Sequence, residues 1–210
     1  MLDQVYKIQK DTGERVKNVV VMGTGEPLDN YDNLIRFIKL LTDENGLNIS
    51  RRNITVSTCG LIPGIKRLME EDLNITLAIS LHAPNQKKRE ALMPVAKSFG
   101  FEELIETCKE YFEKTGRRIT FEYSLVKGQN SGMEDAGELS RALRKLPCHV
   151  NLIPVNPVRE TGMSAPDTAE IAAFKNTLEK YGINATIRRE LGRDIDGACG
   201  QLRHKRQTKE

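Results

Sequence analysis

The stretch Ile54 to His82, ITVSTCGLIPGIKRLMEEDLNITLAISLH, carries the pattern that decides the fold. Two short runs rich in β-branched residues, Ile54 to Thr58 and Ile75 to Leu81, flank a segment in which Pro63 suits a first helical turn. Runs of the same kind recur at Asn18 to Met22, Ile119 to Val126, His149 to Val155 and Asn184 to Arg189. Between them apolar residues keep a helical period: Leu34, Phe37, Ile38, Leu41; Leu104, Ile105, Cys108, Tyr111, Phe112; Leu139, Leu143, Leu146; Ile171, Phe174, Leu178, Tyr181. Asp167 with Glu170 has the spacing of a capping box, and Gly116 and Gly182 suit positions just past helix ends. Strand and helix alternate throughout, which predicts right-handed crossovers and an α/β fold with mainly parallel strands, either doubly wound or closed toward a barrel. With no internal repeat and no long linker, residues 1–210 are expected to form a single domain, with a basic segment at 188–210.

The 210 residues are 39% hydrophobic and 29% charged, enough for a packed core. No eighteen apolar residues run together and the opening MLDQVYKIQK is amphipathic, so neither a signal peptide nor a membrane span is expected and the chain reads as cytoplasmic. Cys59, Cys108, Cys148 and Cys199 lie far apart without CxxC spacing, which argues against a disulfide framework and against a zinc or cluster site. The net charge is +3, and the segment from Arg188 onward, with seven Lys/Arg and four Asp/Glu, accounts for all of it. A basic terminus on a neutral body suits a polyanion partner, or is a solvated tail.

In parallel α/β folds ligands bind where strands end, and here the strand ends are polar. They read Gly23-Thr24-Gly25-Glu26-Pro27, Ser57-Thr58-Cys59-Gly60, Ser80-Leu81-His82 and Asn156-Pro157. A glycine turn exposes backbone to a ligand and a following carboxylate can hold an ammonium group, although an isolated Gly-x-Gly is more often a plain turn. Ser57, Ser80 and Asn156 can bind a ligand or satisfy local backbone groups. His82 can be an acid, a base or a structural histidine; with no second His or Cys near it, a metal site is not expected. Cys199 sits between glycines among arginines, surroundings that favour a thiolate, whereas Cys108 and Cys148 read as packed hydrophobes.

Taken in order, GTGEPLDN, ITVSTCGLIPGI, LAISLHAPN, LIPVNPV and RRELGRDIDGACGQL resemble the dual-specificity radical S-adenosylmethionine (SAM) methyltransferases that act on carbon 2 of adenine in 23S rRNA and tRNA. The carbon-8 adenine methyltransferases of the florfenicol-resistance type share the framework. The resemblance implies a partial (β/α)6 barrel that binds SAM through Gly25, Glu26, Ser57, Ser80, Leu81, His82 and Asn156. It implies that Cys199 carries a methyl group as S-methylcysteine and that Arg203, Lys205 and Arg206 face RNA. It implies RNA partners, neither DNA nor a membrane, and a monomer for the full-length protein, with the oligomeric state of this chain left open. The family also uses a 4Fe-4S cluster held by CxxxCxxC, a motif missing from this sequence. The chain is therefore expected to hold no metal, to lack the first barrel strand and the amino-terminal RNA-contacting domain, and to be inactive alone; the contrasting reading is a non-catalytic RNA- or nucleotide-binding fragment. RNA affinity should be salt-sensitive and should fall when Arg203, Lys205 and Arg206 are replaced by alanine; unchanged binding in a filter or anisotropy titration would count against the RNA-facing role.

Overall fold

A computed structural model describes residues 1–156 and 162–188. The order is α1 (Leu2–Thr12), β1 (Val19–Val21), α2 (Tyr31–Thr42), β2 (Ile54–Thr58), α3 (Ile62–Met69), β3 (Thr76–Ser80), α4 (Gln86–Leu92), α5 (Phe101–Thr115), β4 (Ile119–Leu125), α6 (Met133–Leu143), β5 (Cys148–Pro154), α7 (Thr168–Lys180) and β6 (Asn184–Ile187). All six predicted strands form one sheet in the order β1-β2-β3-β4-β5-β6, and every pairing is parallel. A doubly wound sheet reverses its strand order partway. This one does not, which settles the choice the sequence left open in favour of a partial barrel.

Sequential winding places the crossover helices on one face of the sheet. The residues on that face are apolar and buried: Ile54, Val56, Leu77, Ile79, Phe121 and Val150 are all 0% exposed. The alternate residues point to the other face, where Ser80, Glu122, Asn151 and Thr186 lie side by side across four strands. A parallel sheet covered on both sides would be apolar on both; this inner face is polar because helices do not cover it.

Local signals behave as read. Asp167 accepts from Glu170 N–H at 2.8 Å and Glu170 accepts from Asp167 N–H at 3.0 Å, a complete capping box at the start of α7. Pro63 lies in the first turn of α3, and Gly116 (φ 64) ends α5 in the left-handed conformation. The seven-residue α4 had no apolar period to reveal it. Its N-cap did the work instead: the Asn85 side chain accepts the Lys88 N–H at 3.0 Å.

The helix layer is anchored by α7, whose Phe174 packs on Tyr123 of β4 with ring centroids 5.3 Å apart. Both rings are 0% exposed. Replacing Phe174 by alanine leaves a cavity between α7 and the sheet and should cost about 3–5 kcal/mol in a denaturant melt.

Candidate functional site

The turn after β1 is shaped for close approach. Thr24 is left-handed at φ 37, and a Cβ added to Gly23 or Gly25 would meet no protein atom within 4 Å. The glycines thus leave open room above the backbone instead of fitting a crowded core. Glu26 then caps the 3-10 turn Pro27–Asn30, its Oε1 accepting the Leu28 N–H at 3.0 Å. Its Oε2 accepts the Cys59 N–H at 2.7 Å, tying the end of β1 to the end of β2. A carboxylate offers about four lone-pair positions, so Glu26 keeps acceptor capacity for a ligand.

These residues, with Ser57, Thr58, Cys59 and Ser80, line a hollow of about 160 Å³. That is well under the ~300–1,000 Å³ of pockets that enclose a whole small molecule, so it has room for only one end of a ligand of that size. A larger hollow of about 510 Å³ opens at the amino ends of the strands, with Arg51, Arg52 and Arg117 in its wall. There Arg51 donates to the Asp72 carbonyl at 3.3 Å, and Arg117 to the Ile75 carbonyl at 3.4 Å and Thr76 Oγ1 at 3.3 Å. These two cations tie loops together, at the end of the barrel away from where ligands of this architecture bind.

Of the predicted ligand residues, Gly25, Glu26, Ser57 and Ser80 meet in the smaller hollow. Leu81 is 0% exposed and its side chain belongs to the core, so only its main chain can face a ligand. Asn156 follows β5 at the same end of the sheet, half-buried and outside that hollow. Cys199, Arg203, Lys205 and Arg206 lie outside the described residues.

His82 is fixed on three sides. Left-handed at φ 55, it accepts the Ser124 N–H on Nδ1 at 3.0 Å and receives Asn130 Nδ2 on its carbonyl at 2.7 Å. Its own N–H donates to the Glu122 carbonyl at 3.2 Å. With Nδ1 accepting, the ring proton sits on Nε2. Burial, then the charge of Arg89, lowers its pKa from 6.5 to about 4. The ring is therefore a neutral structural link that can offer a ligand one donor, Nε2–H.

The described cysteines are poor ligands for a cluster. Burial first, then the hydrogen bond and charge of Glu26, pushes the Cys59 thiol up to about 12. Burial likewise holds Cys108 at about 12 and Cys148 at about 11. Among the described residues no group of three or more His, Cys, Asp or Glu could hold a metal ion, and no helix is long and apolar enough to cross a membrane.

Three residues escaped the sequence reading. Glu122, 7% exposed on the inner face, accepts Asn151 Nδ2 at 2.9 Å, and burial raises its pKa against the opposing pull of Asn151 and Arg188. A carboxylate inside the strand ITFEYSL was the available signal for it. Cys59, given no role from sequence, lines the hollow and holds Glu26 through its backbone. Arg89, the last of three consecutive cations Lys87-Lys88-Arg89 and given no role from sequence, is 0% exposed.

Residues 2–140 match the family model described as the radical SAM superfamily. The chain belongs to that superfamily. Relatives of this radical SAM chain include proteins named probable dual-specificity RNA methyltransferase RlmN from Lachnospira eligens, 63% identical over 98% of the chain, and from Alkaliphilus oremlandii, 57% identical over 98%. The chain spans 59% and 60% of the length of these two curated relatives. A crystal structure of a radical SAM methyltransferase from Sphaerobacter thermophilus superposes with a TM-score of 0.89 at 45% identity, covering 93% of this chain and 57% of that one. Streptococcus suis SuiB, solved with S-adenosylmethionine, shares the fold at TM-score 0.65 and 18% identity, covering 93% of this chain and 47% of that one.

Since the fold disfavours the His82 imidazolium, the unfolded radical SAM chain takes up a proton between pH 6.5 and 4 that the folded chain does not. The stability contributed by this group is whole above 6.5 and is lost as the pH falls through about 4. His82→Asn keeps an acceptor for the Ser124 N–H and tolerates the left-handed backbone. It should flatten the acid side of the Tm profile, the component removed being at most ~3 kcal/mol at 1.36 kcal/mol per pKa unit. An acid slope identical to that of the unsubstituted chain would overturn the assignment.

Proposed function

We propose that this chain is the SAM-binding, methyl-carrying part of an RNA methyltransferase of the RlmN type, acting on carbon 2 of adenine in 23S rRNA and tRNA. The observation that carries the reading is 63% identity over 98% of the chain to a relative named for that activity. The site supports it on chemistry of its own. The open glycine turn and the Glu26 carboxylate make a seat for an amino-acid end, with Glu26 accepting the ligand's ammonium. The Ser57 and Ser80 hydroxyls, the main chain at Leu81, the His82 Nε2–H and the Asn156 amide supply further partners for its carboxylate, ribose and adenine.

Bound SAM supplies an electrophilic methyl group and, on reduction, radical chemistry. The Cys199 thiolate would attack that methyl carbon: a carbon–sulfur bond forms, the sulfonium carbon–sulfur bond breaks, and S-adenosylhomocysteine leaves. A carrier of this kind suits adenine carbon 2, which lies between two ring nitrogens and is too electron-poor to attack a methyl cation equivalent directly. Arg203, Lys205 and Arg206 would neutralise RNA phosphates. The cysteines described above do not fit a 4Fe-4S cluster, so no step is assigned to one in this chain and the polypeptide alone should not methylate RNA.

Two measurements test the reading. Glu26→Gln should weaken SAM binding in calorimetry by ~10- to 100-fold, the ~1.5–3 kcal/mol of a hydrogen bond to a charged group, while the fold is destabilised only by the one backbone N–H bond that a carboxamide cannot accept, ~1–3 kcal/mol. Anaerobic reconstitution should yield iron uptake and 5′-deoxyadenosine only when the chain is joined to a segment that carries the CxxxCxxC motif. Cleavage of SAM by neither protein would sink the methyltransferase reading.

A further inference from the structure

Arg89 is the largest side chain that is wholly buried, and among the described residues it has no carboxylate partner. Its Nη2 donates to the Cys59 carbonyl at 2.6 Å, its Nη1 to the Phe99 carbonyl at 3.4 Å, and its Nε has no partner. Burying a guanidinium against neutral acceptors is expensive, and an apolar side chain of similar volume would fill the space at lower cost. The charge is explained by something only a buried cation does well: hold one carbonyl in a short, charge-assisted bond.

That carbonyl belongs to the residue that anchors Glu26. The Cys59 N–H, in the peptide unit before its Cα, donates to Glu26 Oε2 at 2.7 Å; the Cys59 carbonyl, in the unit after it, accepts from Arg89. The two peptide planes at Cys59 are thus gripped from opposite ends. The next residue is fitted to this grip: Gly60 is left-handed at φ 100, and a Cβ there would stand 3.0 Å from Arg89 Nη2 and 2.9 Å from Leu104 Cδ2. Thr58 Oγ1 closes the turn by accepting the Gly60 and Leu61 N–H groups at 3.1 and 3.3 Å.

We propose that Arg89 is a positioning residue for the ammonium end of the ligand, holding the Cys59 peptide so that its N–H fixes the Glu26 carboxylate at the mouth of the barrel. This rests on the reading of Glu26 as the ammonium acceptor. Its reach is narrow: the amino-acid end of the ligand depends on Arg89, and the nucleoside end does not.

The test uses the full chain, two probes and three substitutions, two of them combined in a cycle. The probes are SAM and 5′-methylthioadenosine, which lacks the amino-acid end. Arg89→Met should weaken SAM tenfold or more and methylthioadenosine less than twofold, with Arg89→Lys between, since one ammonium donor can still reach the carbonyl. On a Glu26→Gln background, Arg89→Met should cost SAM nothing further, because the group it positions is already gone. Equal loss of both probes, or additive loss in the double variant, would make Arg89 a general support of the fold and overturn the proposal. Hydrogen exchange at the Cys59 amide in the ligand-free chain gives a second readout: it should quicken in Arg89→Lys while the amides of α5 stay protected. If the unsubstituted chain binds neither probe, the SAM reading itself has failed, whereas unchanged exchange at Cys59 removes the grip whatever the ligand.

Discussion

Parallel strands wound in sequential order can receive crossover helices on one face only, and this constraint shapes the rest of the molecule. The outward-facing residues of each strand must be apolar, since the crossover helices pack there. The inward-facing residues escape that demand. They can be Ser, Thr, Glu and Asn because they line a cleft, and the row Ser80, Glu122, Asn151, Thr186 shows how far polarity extends into it. Winding therefore divides each strand, residue by residue, into one set that holds the fold and one set available for chemistry.

The strand ends convert that division into a site, and Cys59 is where the conversion is most economical in residues. Its side chain contributes a neutral thiol. Its backbone joins the β1 turn, through Glu26, to α4, through Arg89. Three elements distant in sequence thereby meet at one residue. His82 does the same for β3 and β4 through Ser124 and Asn130. In both cases a single strand-end residue ties neighbouring elements together.

The strands were legible because β-branched runs and flanking turns report backbone preference directly, and all six were placed within about one or two residues at most ends. The strand-end residues Gly25, Glu26, Ser57 and Ser80 were legible for a topological reason: parallel strands bring their carboxyl ends together whatever the side chains do. The choice between open and barrel-like sheets was hidden, since it depends on strand order and not on any one segment. Arg89 was hidden for another reason. Its neighbours Lys87 and Lys88 make a charged run that looks solvated, and nothing local says that one of three consecutive cations turns inward. Glu122 was half-visible, as a charge in a strand, but its meaning required knowing which face it occupied.

A site for an ammonium group needs a carboxylate that is well placed and still anionic, two demands that ordinarily conflict. The simplest way to fix a carboxylate is to pair it with an arginine, and such a pair would neutralise the acceptor and occupy its lone pairs. Among the described residues Glu26 has no ion pair; it is held by neutral donors, the Leu28 and Cys59 N–H groups and the Cys59 thiol. The cation that steadies this arrangement stands one residue away, bonded to a carbonyl, so that its orienting force reaches Glu26 through the Cys59 backbone while the carboxylate keeps its charge. In the proposed role of Glu26 as ammonium acceptor, separating the positioning charge from the binding charge by a single amino-acid residue satisfies both demands and gives a buried arginine without a counter-ion a reason to be there.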